Sequence, residues 1–281
     1  SIIGNVINFC LNAFFLFVLH KGVAGVATAT VVSRIINLVI VVLLGAVLVK
    51  AKKHPERESN REVMGQIIRI GLPSACETAI YNVSMTLVIR FLNQMDAQGL
   101  NVTARSYTMQ ITNFSYCVGA ALAQANAIMT GWRIGAKEYD ACDRGTRKAA
   151  IIGVIVAVIL ETMFALCSGW IMQLFSKDPQ MVSLVGKLLA IDIVLEMGRV
   201  TNLVYGQALK TSGDAVFPVV MGACFMILCS VGGTYLFGIR LGLLAVGAYI
   251  GMAGDECVRA IGMYLRWKSG KWKQKGLVKS R

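Results

Sequence analysis

The chain has 281 residues, of which 56% are hydrophobic and 15% are charged, and its mean hydropathy is +0.63. An average soluble domain carries roughly 45–50% apolar and about 25% charged residues. This composition therefore excludes a soluble fold, a disordered chain and a small disulfide-stapled module. The net charge of +13 would suit nucleic acid. However, the basic residues lie between apolar runs rather than on one face, so no nucleic-acid partner is expected.

Apolar stretches recur along the chain at close to the 20 residues that a helix needs to cross about 30 Å of hydrocarbon. Lipid-exposed strands would have to close into a barrel and would show alternating segments of about ten residues. The predicted fold class is therefore an all-α integral membrane protein with eight transmembrane helices. The predicted spans are 3–19, 24–49, 67–92, 105–130, 149–175, 182–209, 215–238 and 242–264.

The connections between these spans alternate in charge. The stretch 50–61 is charged and helix-breaking and predicts a linker, and further basic residues follow the fourth and sixth spans and fill the tail 266–281. The opposite connections carry few basic residues, so the positive-inside rule places the linker and the carboxyl terminus in the cytoplasm. Trp267 and Trp272, set among lysines in the tail, are typical of the lipid headgroup boundary.

Charged residues also lie inside the predicted spans, where each costs roughly 2.5–3.5 kcal/mol on insertion scales and indicates function. Asp192, Glu196 and Arg199 share one face of the sixth span. Arg199 can pair with Glu196 and leave Asp192 available, or the reverse. Asp255 and Arg259, four residues apart in the eighth span, are interpreted as a structural pair.

Two carboxylates have no basic residue close by in sequence. Glu77, in the third span, needs a partner from another helix, a bound cation or a proton. Glu161, in the fifth span, is either a coupling site or a protonated carboxyl satisfied by its neighbour Thr162. The uncharged polar candidates, which serve equally well as interhelical hydrogen-bonding groups, are Tyr81, Asn82, Asn113 and Tyr116.

Signatures of catalysis are absent from the sequence. His20 and His54 lie in predicted loops without triad partners, and there is no Walker loop, dinucleotide-binding turn or metal-spaced cluster. The eight cysteines show no two-residue spacing and suit apolar packing. We therefore expect neither an enzyme nor a cofactor other than a coupling ion.

A faint internal repeat links the two ends of the chain. Leu16-Phe17 followed by 25–29 is answered by Leu236-Phe237 followed by 247–251, with a spacing that differs by two residues. Repeated halves are common in secondary transporters, whose sites lie at mid-membrane between the repeats.

Several segments together resemble the multidrug and toxic compound extrusion (MATE) transporters. They are Gly71-Leu-Pro-Ser-Ala-Cys-Glu77, Ala123-Gln-Ala with Gly131 and Gly135, Leu209-Lys-Thr-Ser-Gly-Asp214, and Asp255 to Trp272. The resemblance implies a fold of twelve helices in two six-helix bundles. Residues 64–265 would be the complete second bundle, and residues 1–49 the last two helices of the first, four helices being absent. Residues 50–63 would be the cytoplasmic linker, and 266–281 a basic cytoplasmic tail.

The resemblance also implies a function. The protein would be a monomeric antiporter of the inner (plasma) membrane that exports cationic or amphipathic compounds by alternating access, driven by Na⁺ or H⁺. The family's acids on the seventh and tenth helices correspond to Glu77 and to Glu196 with Asp192, with a possible Na⁺ at Glu77 and Glu196. Many members carry the first of these acids farther along, where this chain has Tyr81.

Two alternatives remain open. A lipid-linked saccharide flippase of related architecture would need a more cationic cavity, whereas the acids within the predicted spans outnumber the arginines. A membrane fragment or subunit without transport activity is the other alternative.

Overall fold

The structure, a computed structural model, describes residues 2–48, 60–95 and 98–274. Every regular element in these ranges is a helix, which confirms the predicted all-α class. The chain forms two compact units, 1–60 and 61–281. Most of the predicted linker and the end of the basic tail lie outside the described residues.

The first unit is a pair of helices. α1 runs over Ile2–Ala13 and continues as a π-helical segment, Phe14–Val18, and α2 spans Gly22–Leu48. Asn8 Nδ2 donates a hydrogen bond to Ser33 Oγ at 2.9 Å, which joins the two helices.

The second unit contains six long helices within the described ranges, and most are longer than the sequence predicts because their charged and polar ends stay helical. The predicted fifth span is an exception, since its helix stops at Leu166 and is followed by a short separate helix, Ser168–Met172. The elements are α3 (Asn60–Met95), α4 (Leu100–Gly135), α5 (Tyr139–Leu166), α6 (Ser168–Met172), α7 (Pro179–Thr211), α8 (Val216–Phe225, continued by the π-helical segments Met226–Val231 and Thr234–Arg240), α9 (Leu244–Lys268) and a 3₁₀ turn (Lys271–Gln274).

α7 lies at the centre of this unit, in contact with α4, α5, α6, α8 and α9. Glycines allow the close approach: a Cβ atom on Gly119 of α4 or Gly153 of α5 would lie 2.7 Å from a methyl group of Val200. A Cβ atom on Gly198 would lie 2.9 Å from the backbone of α9 at Glu256. Small residues at helix crossings are the usual packing mode of membrane helices.

Large apolar side chains face outward. Ile151, Ile155 and Ile159 form a stripe along α5, and each is more than 50% exposed. Among the described residues, three helical stretches are long and apolar enough to cross a bilayer by composition alone, Gly22–Ala46, Tyr139–Leu166 and Val216–Arg240. This surface suits hydrocarbon rather than water.

The two tail tryptophans are buried in protein, so their predicted place at the lipid headgroups is wrong. Gly270, with φ of 70°, turns the chain back after α9. Trp272 then stacks on Trp267 with ring centroids 4.2 Å apart and an interplanar angle of 9°. Trp267 Nε1 donates to Asp143 at 2.9 Å, which fastens this turn to the start of α5.

Candidate functional site

A chamber of about 610 Å³ lies within the second unit, between α3, α4, α7, α8 and α9. Its lining positions recur every three or four residues, as in the series Asp192, Leu195, Arg199 and Asn202 on α7. One face of each helix therefore forms the wall. The charged lining residues among those described are Glu77, Arg105, Asp192, Arg199, Lys210, Asp255, Glu256 and Arg259. Carboxylates and cations are thus equally numerous on the described wall, in contrast to the excess of acids within the predicted spans.

A network of ion pairs joins α7 to α9 along this wall. Arg199 donates to Glu196, one turn earlier, and its Nε lies 3.5 Å from Glu256 Oε1. Arg259 Nη2 lies 2.9 Å from both Glu256 Oε1 and Asp255 Oδ2. The predicted pairing of Asp255 with Arg259 is therefore present, but it belongs to a larger network in which Glu256 holds both arginines.

Glu77 is held by a partner from another helix. Lys210 Nζ lies 2.6 Å from Glu77 Oε2, and both side chains are about one fifth exposed, at 22% and 20%. The predicted sixth span ends at residue 209, just before Lys210, but α7 continues to Thr211 and carries this lysine onto the chamber face. Gly222 of α8 leaves room for the pair, since a Cβ atom there would lie 3.4 Å from Glu77 Oε1.

Asp192 differs from the paired carboxylates. Only 2% of it is exposed, and its Oδ2 atom has no hydrogen-bond partner among the described residues. Arg199 on the same face acts on it electrostatically but forms its hydrogen bonds with other carboxylates. A buried carboxylate oxygen without a partner is costly. Glu196 Oε2 is also without a partner among the described residues, but Asp192 is the carboxylate of this kind that lines the chamber and can gain from a cation or proton that enters it.

Glu161 lies behind this wall, on α5. It is fully buried, and neither of its carboxyl oxygens has a hydrogen-bond partner among the described residues. Asp192 and Glu196 act on it electrostatically, and Ser115 of α4 is its polar neighbour. Thr162, which the sequence suggested as a partner, donates no hydrogen bond to it in the described structure.

Most of the predicted site residues meet at the chamber. Glu77, Asp192 and Arg199 line it, as do three of the uncharged candidates, Tyr81, Asn113 and Tyr116. Glu161, Glu196 and Asn82 do not line it.

Sequence reasoning missed Arg105, Lys210 and Glu256 as chamber residues. Extending the helical face of Asp192 in steps of three and four residues would have reached Lys210. Arg105 begins the predicted fourth span and was counted with the few basic residues of the opposite connections, although it is only 7% exposed.

The predicted ligands of a Na⁺ ion, Glu77 and Glu196, hold separate cationic side chains, Lys210 and Arg199. Within the part of the chain that the structure describes, no group of three or more His, Cys, Asp or Glu residues is arranged to hold a metal ion.

Comparison with known proteins identifies the family of this chain. The MatE family model matches residues 73–236. The uncharacterized transporter YisQ of Bacillus subtilis is 34% identical over 280 residues, which cover 98% of this chain and 61% of YisQ. The chain belongs to the MATE family. The probable multidrug resistance protein NorM of Pasteurella multocida, another MATE relative, is 22% identical over 95% of this chain and 60% of NorM.

Solved MATE structures share the fold. The eukaryotic MATE transporter AtDTX14 superposes with a TM-score of 0.86 and 18% identity, over 98% of this chain and 62% of that one. The MATE transporter ClbM in complex with Rb⁺ superposes with a TM-score of 0.77 and 18% identity, over 98% of this chain and 61% of that one. This MATE chain thus spans less than two thirds of the length of these relatives.

Proposed function

We propose that this MATE chain is part of a cation-coupled antiporter of the inner (plasma) membrane that exports drugs and other toxic organic compounds. The observation that carries the proposal is the buried carboxyl of Asp192, which faces the chamber with an oxygen that no described residue satisfies. The relatives named for multidrug resistance support the export of drugs, and the ClbM complex supports cation binding in this fold.

In the proposed topology eight helices cross the membrane. α1 and α2 (1–49) end the first bundle, and α3, α4, α5, α7, α8 and α9 (64–265) form the second, with the linker 50–63 and the tail 266–281 in the cytoplasm. In the second unit, the helices that are less apolar than a typical span include α7 and α9, whose charges line the chamber. Charges that face a polar chamber need not meet lipid, so composition underestimates the number of spans.

Coupling in this proposal begins at Asp192. A Na⁺ or H⁺ that neutralises Asp192 removes its attraction for Arg199, so that Arg199 is held by Glu196 and Glu256 alone. The ion can drive alternating access only if it binds one conformation of the protein more tightly than the other. Glu161 interacts electrostatically with Asp192 and Glu196 and is the second carboxylate that accepts the ion in this scheme.

The substrate would occupy the same chamber. Its volume of about 610 Å³ falls within the range of about 300–1,000 Å³ that is typical of small-molecule sites. Methionine side chains adapt to irregular partners, and Met85, Met109 and Met252 line the wall together with the rings of Tyr81 and Tyr116. Such a surface suits chemically varied, amphipathic compounds.

The test is the substitution Asp192→Asn in the intact protein. We expect ion-driven efflux of a fluorescent dye to fall about fivefold or more, because a coupling free energy of about 1–3 kcal/mol corresponds to 5–150-fold. Efflux measured under a sodium gradient and under a proton gradient identifies the ion. Asp140→Asn is the matched control, since that carboxylate is 87% exposed and lies outside the chamber lining. Full ion-driven efflux in the Asp192→Asn protein would contradict the proposal.

A lipid-linked saccharide flippase is the second candidate, because cations are as numerous as carboxylates on the described chamber wall. Three of these cations, Arg199, Lys210 and Arg259, are nevertheless engaged by carboxylates, which leaves little charge for a diphosphate. Proteoliposomes that move a labelled lipid-linked saccharide but no dye would favour the flippase.

A further inference from the structure

Arg105 stands apart from the other cations of the chamber. It lies near the start of α4, is only 7% exposed and contributes to the chamber wall. Among the described residues, its Nε has no hydrogen-bond partner, and Nη2 has only the thioether of Met85 at 3.7 Å. A thioether sulfur is a weak acceptor, so no strong acceptor among the described residues holds the Nε and Nη2 groups of this guanidinium.

The remaining cations on the described wall show what Arg105 lacks. Lys210, Arg199 and Arg259 each have a carboxylate oxygen within ion-pair distance, whereas no described carboxylate holds Arg105. Removing a guanidinium from water without an anionic partner is expensive. Its planar set of five N–H donors is suited to a bidentate oxyanion.

Two oppositely charged groups of the chamber wall, Arg105 and Asp192, each have a buried polar atom without a hydrogen-bond partner among the described residues. These atoms are Arg105 Nε and Asp192 Oδ2. Tyr249 of α9 also lines the chamber, and its hydroxyl interacts electrostatically with both charges. The neighbours of this hydroxyl include Thr108 of α4, a neutral group. A ligand with one cationic and one anionic group can therefore pair with the Asp192 carboxylate and the Arg105 guanidinium in the same chamber.

We propose that Arg105 is an anion subsite of the chamber, which binds the carboxylate or another oxyanion group of the transported molecule while Asp192 receives its positive group. The substrate class would then be amphipathic zwitterions rather than simple organic cations. The inference rests on the proposed function only in taking the chamber as the place where the transported molecule binds.

A matched pair of dyes tests the subsite. Tetramethylrhodamine carries a free carboxylate and is a zwitterion, whereas its methyl ester has the same ring system and is a cation. Binding of each dye to the purified intact protein is measured by fluorescence anisotropy. The variants are Arg105→Gln, which removes the charge, and Arg105→Lys, which keeps it. Arg90→Gln is the control, because Arg90 is exposed on α3 and does not line the chamber.

We expect the wild-type protein to bind the acid more tightly than the ester. Arg105→Gln should weaken binding of the acid about tenfold, the usual loss when one hydrogen-bonded charge is removed. Binding of the ester should change less than about twofold, which also shows that the variant is folded. Arg105→Lys should retain most of the preference for the acid, and Arg90→Gln should change neither affinity.

The subsite is overturned if the wild-type protein binds neither dye or does not prefer the acid. It is also overturned if Arg105→Gln weakens both dyes equally or neither. Export is read separately, as ion-driven efflux from proteoliposomes. Binding of the acid through Arg105 without ion-driven efflux would refute the proposed function and keep the subsite. Ion-driven efflux with no effect of Arg105→Gln on binding of the acid would refute the subsite and keep the proposed function.

Discussion

The turn between α1 and α2 and the turn between α8 and α9 have the same backbone but different side chains. In both, a π-helical segment ends in hydrogen bonds that span five, six and then four residues. Two left-handed residues stand at corresponding places, His20 and Gly22 (φ 50° and 54°) in one turn and Gly242 and Leu244 (φ 69° and 53°) in the other. The hydrogen bonds are Leu19 to Phe14, Lys21 to Phe15 and Gly25 to Lys21, against Leu241 to Leu236, Leu243 to Phe237 and Gly247 to Leu243.

This correspondence corrects the register of the repeat seen in the sequence. The sequence matched Leu16-Phe17 with Leu236-Phe237 and left a spacing difference of two residues. The hydrogen bonds instead match Phe14-Phe15 with Leu236-Phe237, and the distance to the following glycine is then the same in both copies. Two apolar residues can be matched at several registers, whereas a backbone hydrogen-bond pattern fits only one.

The side chains of the two helix pairs show what the backbone requires. Asn8 donates to Ser33 at 2.9 Å across α1 and α2. At the corresponding positions Ser230 donates to Asp255 at 2.9 Å across α8 and α9. One polar contact between the helices is thus common to both pairs, but only the second pair carries the carboxylates and arginine of the chamber. The α1 and α2 pair is joined without these charges, which supports a functional reason for them in α8 and α9.

The largest expected effect comes from breaking the charged version of this contact. Arg259→Asn alone should lower the free energy of unfolding by about 3–5 kcal/mol, because it leaves the buried carboxylates of Asp255 and Glu256 without its guanidinium. In the register of the two turns, Ser33 and Asn37 of α2 correspond to Asp255 and Arg259 of α9. The double variant Asp255→Ser with Arg259→Asn copies this neutral pair and should recover most of the lost stability. Unfolding of the intact protein in mixed micelles, analysed as a double-mutant cycle, measures both changes. A double variant as unstable as the single one would show that α8 and α9 need the charges.

The membrane class and most of the chamber follow from the sequence. Apolar runs give the helices, and the spacing of Asp192 and Arg199 places both on one face of one helix, which lines the chamber. What cannot be predicted is that Glu196, expected on the same face as Asp192 and Arg199, does not line the chamber, and which charges meet across helices. Lys210 reaches Glu77 because α7 continues past the apolar run, and Glu256 reaches Arg199 because Gly198 lets α9 approach α7.

The tail shows the same limit from the other side. Tryptophan beside lysine suits a lipid interface, but the same residues here close a helix end, and composition does not distinguish the two for Trp267 and Trp272. The positive φ at Gly270 decides it, because the chain turns back and the rings stack on each other. A glycine in a basic segment is too weak a signal to predict that turn.

A second, smaller effect should separate the two turns by their packing. A Cβ atom on Gly247 would overlap the backbone carbonyl of Phe237, whereas a Cβ atom on Gly25 would lie 3.3 Å from the carbonyl oxygen of Phe15 and otherwise meet side chains. Gly247→Ala should therefore lower the free energy of unfolding by about 2–3 kcal/mol, and Gly25→Ala by about 1 kcal/mol. Gly254→Ala, in open space on α9, is the control and should be neutral or slightly stabilising. Equal losses at Gly247 and Gly25 would mean that the two turns are packed alike.

The smallest expected effect concerns the left-handed position that the two turns fill differently. His20 has φ of 50° and Gly242 has φ of 69°, and no atom lies within 4 Å of a Cβ placed on Gly242. The cost of a side chain there is therefore purely one of backbone conformation. Gly242→Ala should lower the free energy of unfolding by about 1 kcal/mol. His20→Gly should raise it by about 0.5 kcal/mol, because relief of the strained backbone is partly offset by the greater freedom of glycine in the unfolded chain. Thermal unfolding of the two variants beside the wild-type protein measures the difference, and shifts of the same sign would mean that the two turns do not share this backbone.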